Sequence, residues 1–131
     1  MKGIDTNVLV RYLVRDDPIQ ARRARTFILD ECTADNPGFV DRIVLCELVW
    51  VFERTYRFPH DVVANTLEMI LRTAQLRIEQ EADVATAIND YRAGGGFANS
   101  LIATENRRNG CDYTATFDRG AARRKGFRLL R

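Results

Sequence analysis

Apolar positions along the chain switch repeatedly between short continuous runs and helical spacing. Residues 2–5, KGID, predict a short strand, and Thr6 to about Val14 predict a helix. Pro18 opens a second helix in which Ala21, Ala24 and Ile28 share one face. PGFVD (37–41) reads as a turn and a short strand. A strongly apolar helix, RIVLCELVWVFERTY, follows at 42–56, and Pro59-His60-Asp61 open another that runs to about Thr73. LRIE (76–79) is a short strand. ADVATAINDYR (82–92) is a helix through Ala85, Ile88 and Tyr91, and FANSLIATENRRNG (97–110) is a helix that Gly110 stops. CDYTATFD (111–118) is the clearest strand of the chain, and FRLL (127–130) is a last short one.

Strands that alternate with helices predict an α/β fold: three layers, with a central, mostly parallel sheet flanked by helices. At 131 residues the chain is expected to form a single domain over 1–131. Ligands of such sheets gather beyond the carboxyl ends of the strands, so acids that terminate strands are the first candidates for chemistry.

Composition narrows the class. Apolar residues are 46% and charged residues 29%, as in a globular protein. No stretch approaches a membrane span of about 20 apolar residues. The N-terminal apolar run is broken by Asp5 and Arg11 and lacks a small-residue cleavage site, so it does not read as a signal peptide. Cys32, Cys46 and Cys111 are odd in number and widely spaced, which predicts buried thiols in a reducing cytoplasm. Net charge is only +2, yet eight basic residues fall between Arg107 and the C-terminus, against Asp112 and Asp118. Arg22, Arg23 and Arg25 form a second cluster. Such patches permit a polyanionic partner, although a solvated face explains them equally well.

Three acids and an amide stand out. Asp5 ends the first strand and Asp118 ends CDYTATFD. Taken singly, Asp5 reads as a helix cap and Asp118 as a turn-starting aspartate. Thr6 would serve as that cap equally well, which leaves Asp5 less explained. Glu47 has Ile43, Val44, Trp50 and Val51 as its helical neighbours. A carboxylate in a core-facing stripe costs several kcal/mol, or shifts its pKa, unless it is paired or binds a metal. Asn99 has Gly95, Gly96, Ile102 and Ala103 as neighbours and is expected to point inward or onto a glycine surface. Oxygen donors without histidine or cysteine suit a hard cation such as Mg²⁺ or Mn²⁺. With His60 the sole histidine, expected at a helix start or on the surface, zinc hydrolase sites and Ser-His-Asp triads are excluded.

The series I-D-T-N, L-C-E-L, G-F-A-N-S-L-I-A and T-A-T-F-D, in this order across essentially the whole chain, resembles the PIN domain family. Within it the chain is most similar to the VapC-type toxins of type II toxin–antitoxin pairs. That resemblance implies an α/β metal-dependent endoribonuclease with Mg²⁺ or Mn²⁺ held by acids. It also implies an RNA substrate, a homodimer, a cognate VapB-like antitoxin and a cytoplasmic location. It assigns Asp5, Glu47, the residue at 99 and Asp118 to metal and catalysis, with Thr6, Asn7 and Thr116 supporting them. Arg119, Arg123, Arg124 and Lys125 are candidates for holding the RNA backbone.

One position departs from the family pattern, which usually has an aspartate where this chain has Asn99, and often another acid at the place of Gly96. An amide offers a neutral oxygen but no charge, so metal affinity and activation of water should both fall. A natural, differently tuned nuclease and an engineered Asp→Asn change both fit that amide. A non-catalytic PIN-like module that binds RNA or protein is the alternative function. A phosphotransfer receiver domain fits poorly, because only one acid follows the first strand and Lys125 does not end a strand. GGG (94–96) lacks the sequence context of a phosphate-binding loop and reads as a connection to the next helix.

Overall fold

The computed structural model of the protein describes residues 1–131, which divide into two compact units, Met1–Glu81 and Ala82–Arg131. The first unit holds strands β1 (Lys2–Gly3), β2 (Gly38–Val40) and β3 (Leu76–Ile78). They form one parallel ladder in the order β1-β2-β3, with Lys2 opposite Gly38 and Gly38 opposite Leu76. Parallel neighbours require helical crossovers. Helices α1 (Thr6–Leu13) and α2 (Pro18–Thr26) join β1 to β2, and α3 (Arg42–Arg54) and α4 (His60–Leu71) join β2 to β3. Helix starts follow local chemistry: Asp17 caps α2 through the Gln20 amide, ahead of Pro18, and Asp41 caps α3 through the Val44 amide.

The core of this unit is Leu9, Ile28, Val40, Leu45, Leu48, Phe52, Val63 and Leu67, all fully buried. Truncating one of the leucines to alanine is expected to cost about 2–5 kcal/mol. Gly38 sits where any Cβ would run into the Ile4 side chain and crowd the Cys32 sulfur at 3.3 Å, so the ladder closes only around a glycine here. After α2 the helix widens into one π turn, Phe27–Glu31, which the sequence reading extends as plain helix. Ala21, Ala24 and Ile28 are all buried as their spacing predicts.

The second unit holds α5, which begins at Glu81 and runs to Arg92, then α6 (Phe97–Arg108), β4 (Thr114–Thr116), α7 (Arg119–Ala122) and β5 (Phe127–Leu129). β4 and β5 pair in parallel, Thr114 opposite Phe127 and Thr116 opposite Leu129, with the short α7 as their crossover. Helix α6 ends at Asn109, next to Gly110, as expected.

The α/β class with parallel strands is as the sequence predicts, and several details differ. The strands form two hydrogen-bonded ladders instead of one central sheet. CDYTATFD contributes only Thr114–Thr116 as strand, because its first residues turn back from α6. Helix α7 had no apolar period to announce it. In α5 the buried face is Val84, Ala87, Ile88 and Tyr91, and Ala85 is exposed. All three cysteines are free, but only Cys32 is buried; Cys46 is half-buried, its thiol pKa pushed up by burial, and Cys111 is exposed. No helix is long and apolar enough to cross a membrane.

A polar clamp ties the first helices to the end of α3. Arg11 reaches Asp16 at 3.1 Å and Gln20 at 2.6 Å, and the Tyr56 hydroxyl donates to Asp16 at 2.9 Å. Tyr56 in turn stacks on Phe58, with ring centroids 5.4 Å apart. The Tyr56 hydrogen bond, followed by the Arg11 charge, holds the Asp16 carboxyl below its ordinary range. A depressed pKa adds stability that is complete above the unfolded value of about 3.9 and is lost as pH falls through the folded one. Thermal melts of Asp16→Asn should therefore lie below those of the unsubstituted protein at neutral pH. The gap should close on acidification below about pH 4. A gap that stays constant through that range would show that the clamp is not ionic.

Candidate functional site

In the first unit the site begins where β1 ends. Ile4 continues the ladder by donating its N–H to the Phe39 carbonyl at 2.9 Å, and Asp5 follows as the residue before α1. Asp5 itself caps that helix: its Oδ1 accepts the Thr6 N–H at 2.8 Å. Thr6, which the sequence offers as an equal cap, has another task. Its buried hydroxyl donates to Glu47 Oε1 at 3.0 Å, so one threonine holds the first acid by its backbone and the second by its side chain. Asn7 is exposed and makes no hydrogen bond to Asp5.

Glu47 is not in a core-facing stripe. Ile43 and Trp50, its neighbours four residues before and three after, are 73% and 59% exposed, and Glu47 is exposed with them. The buried face of α3 is Val44, Leu45, Leu48, Val49 and Phe52. Apolar residues nearly encircle this helix, so their spacing selects no face, and the desolvation cost inferred from sequence does not arise. Asp5 and Glu47 have no ion-pair partner, and each is held by a hydrogen bond from Thr6, whereas Asp16, Glu68 and Glu79 each pair with an arginine. Strands β2 and β3 also end in acids: Asp41, like Asp5, caps the helix that follows, and Glu79 accepts from the Arg42 backbone and side chain. His60 lies at the surface as expected, 3.3 Å from Glu53.

In the second unit the glycine stretch closes α5. The Gly94 N–H donates to the Tyr91 carbonyl at 3.0 Å and the Gly95 N–H to the Asp90 carbonyl at 2.8 Å, with Gly94 at φ +95°. Those two donors are spent, which bears out the reading that GGG is not a phosphate cradle. Bare Cα atoms here serve another end. A Cβ on Gly95 would sit 3.2 Å from the Arg124 guanidinium, whose Nη2 donates to the Ala93 carbonyl at 3.2 Å. Arg124 is thus seated on the loop. Asn99, on the first turn of α6, packs against Gly96, where a Cβ would meet its Nδ2 at 2.9 Å. Its amide is half-buried and has no protein hydrogen-bond partner.

Asn99, Asp118, Arg123 and Arg124 line one pocket of about 540 Å³ with the glycines. Asp118 ends β4 and caps α7, its Oδ1 accepting the Gly120 and Ala121 amides at 2.8 and 3.1 Å. Thr116 fixes this turn by accepting the Asp118 N–H at 3.0 Å. Of the basic candidates, Arg119 stands at the start of α7 and is exposed, and Lys125 lines the adjoining hollow.

Asp5, Glu47 and Asp118 each keep one carboxylate oxygen free of protein partners, and Asn99 adds an amide oxygen. The Asp5 and Glu47 oxygens in the first unit, and the Asp118 and Asn99 oxygens in the second, are hard donors of the kind that Mg²⁺ or Mn²⁺ takes. In neither unit do three histidine, cysteine, aspartate or glutamate side chains form a metal-holding group. In the second unit the amide at 99 lines the same pocket as Asp118. The PIN domain profile matches residues 3–127, from β1 through the start of β5. The chain belongs to the PIN domain family. No curated protein matches it as a relative. PIN domains are generally nuclease modules and typically depend on Mg²⁺ or Mn²⁺, which gives these unpaired oxygens their chemical context.

Arg124 and Arg107 reach the hollows of the second unit by different routes. The seat of Arg124 depends on contacts about thirty positions away, and no local signal marks it. Arg107 had a signal: Asn99, Ala103 and Arg107 recur at i, i+4 and i+8, one face of α6. Thr6 supplies the test of the acid pair. Thr6→Val should lower the unfolding free energy by about 1 kcal/mol in denaturant titrations and weaken Mn²⁺ binding, whereas Thr6→Ser should retain both. Equal Mn²⁺ affinity in the valine variant would separate Thr6 from the site.

Proposed function

We propose that this PIN domain is a Mg²⁺- or Mn²⁺-dependent endoribonuclease, the toxin of a VapC-type toxin–antitoxin pair. The observation that carries the reading is the Asp5–Thr6–Glu47 link. Two solvent-facing carboxylates are held in place by a threonine and by no cation, so their charge is left for a ligand. Within the second unit, Asp118, held by two amides with one oxygen free, and the Asn99 amide are the proposed donors.

When bound, the metal supplies Lewis-acid polarisation of the phosphodiester and a water of lowered pKa. The residues of the chain do the rest. Asp5 and Glu47 provide negative charge in a fixed orientation, so little reorganisation accompanies binding. Thr116 and the α7 amides keep the Asp118 carboxylate from rotating away. Arg123 and Arg124, on the same pocket as Asn99, offset the charge of a phosphate seated there, Arg124 from a preformed position.

Two surface features support the partner readings. A groove of about 670 Å³ between α1 and α2, lined by Ile4, Val8, Ala24 and Phe27 and flanked by Arg11 and Arg23, suits an apolar helix of a VapB-like antitoxin that carries acids. The exposed pair Ile43 and Trp50 on α3 suits a homodimer contact. A non-catalytic RNA- or protein-binding PIN module is the second reading, favoured by the uncharged amide at 99.

Cleavage of cellular RNA by this chain and by Asn99→Asp, with Mg²⁺, Mn²⁺ or EDTA, separates the two. The expected result is weak or absent cleavage by the chain and strong, EDTA-sensitive cleavage by Asn99→Asp. No metal-dependent cleavage by either would favour the binding module. Asp5→Ala should abolish the Mn²⁺ binding seen in a calorimetric titration, and unchanged binding would remove Asp5 from the site.

A further inference from the structure

The pocket at Asn99 does not end there. It shares Gly96, Asn99, Arg123 and Arg124 with a second hollow of about 480 Å³, which continues along α6 over Ala103 to Arg107 and Lys125. Ala103, Arg107 and Lys125 are shared again with a third of about 220 Å³, which reaches Tyr113. These three hollows form one channel within the second unit. Its floor is the Asn99–Ala103–Arg107 face of α6, about 12 Å long at 1.5 Å per residue. Its floor stays open because position 103 is alanine. Its walls carry Arg107, Arg123, Arg124 and Lys125, and its carboxylates are Asp118 at one end, Asp90 along the way and Asp112 at the other. Asp90 is engaged by the Ser100 hydroxyl at 2.7 Å.

The far end is built differently from the rest. Tyr113 is 46% exposed, and the Arg128 guanidinium lies over its ring, 4.7 Å from the centroid. A planar cation stacked on a half-exposed aromatic ring offers flat surfaces at the end of a basic channel. Proteins that hold single-stranded nucleic acid combine these two features, a positive groove for the phosphates and aromatic or guanidinium planes for the bases.

The geometry points to Tyr113 and Arg128 as a nucleobase-stacking subsite for a single-stranded RNA whose phosphates run along Lys125 and Arg107, then Arg123 and Arg124, toward Asn99. The inference rests on the ribonuclease reading and adds to it a base contact remote from the bond that is cut. A duplex cannot offer an unstacked base to the tyrosine, so single strands are preferred.

The test is binding of a labelled single-stranded RNA of about a dozen nucleotides in EDTA, read by fluorescence anisotropy across a salt series. Tyr113→Ala should raise Kd about tenfold and leave the slope of log Kd against log salt unchanged, because it removes stacking and no charge. Tyr113→Phe should bind like the unsubstituted protein. Arg107→Ala or Lys125→Ala should weaken binding and reduce the salt slope by about one. Placing a single abasic residue at successive positions should reproduce the loss at one position, with no further loss in Tyr113→Ala. The matching duplex should bind more weakly than the single strand. Equal Kd for Tyr113→Ala and the unsubstituted protein, or equal binding of duplex and single strand, would overturn the subsite. If Asn99→Asp still cleaves RNA in that case, the ribonuclease reading stands without it. If no RNA binds and Asn99→Asp cleaves none, both fall.

Discussion

Parallel pairing is the constraint on which the first unit depends. Strands of two and three residues cannot be joined by tight turns when they run the same way, so α1, α2, α3 and α4 are forced into the crossovers. The same geometry sends every carboxyl end to one edge, where Asp5, Asp41 and Glu79 follow their strands. Asp5 and Asp41 each give one oxygen to a helix amide, and the Arg42 contacts engage Glu79. Asp5 makes one short bond to its own helix and no ion pair. The fold therefore concentrates acids at an edge, and local bonding decides which of them remain open to a ligand.

Element existence was legible because each helix of eight residues or more carries its own period or stop signal, from Pro18 to Gly110. The four-residue α7 has neither, and the π turn at Phe27–Glu31 alters hydrogen bonding without disturbing the burial of Ile28. In α5, Ile88 and Tyr91 are buried as their spacing implies and only Ala85 falls off the face, since alanines at 82, 85 and 87 leave that turn unmarked.

Glu47 shows why a sound rule can be applied to the wrong facts. A buried unpaired carboxylate is costly, but burial cannot be read from neighbours when a helix is apolar on almost every side. The residue stands out for another reason, its link to Thr6 across 41 positions, and no periodicity encodes such a bond. Asn99 was legible in the opposite way. Its position between glycines and Ala103 fixes its packing locally, and the structure places it against Gly96 as that spacing implies.

The seat of Arg124 on the glycine loop has a consequence for how this sequence can drift. A side chain at 95 would compete with the guanidinium for the same space and press on the Asp90 carbonyl at 3.1 Å. Positions 95 and 124 are thus sterically coupled, because a larger residue at 95 requires the Arg124 guanidinium to shift. A cation in this pocket is bound up with the absence of a side chain twenty-nine residues earlier.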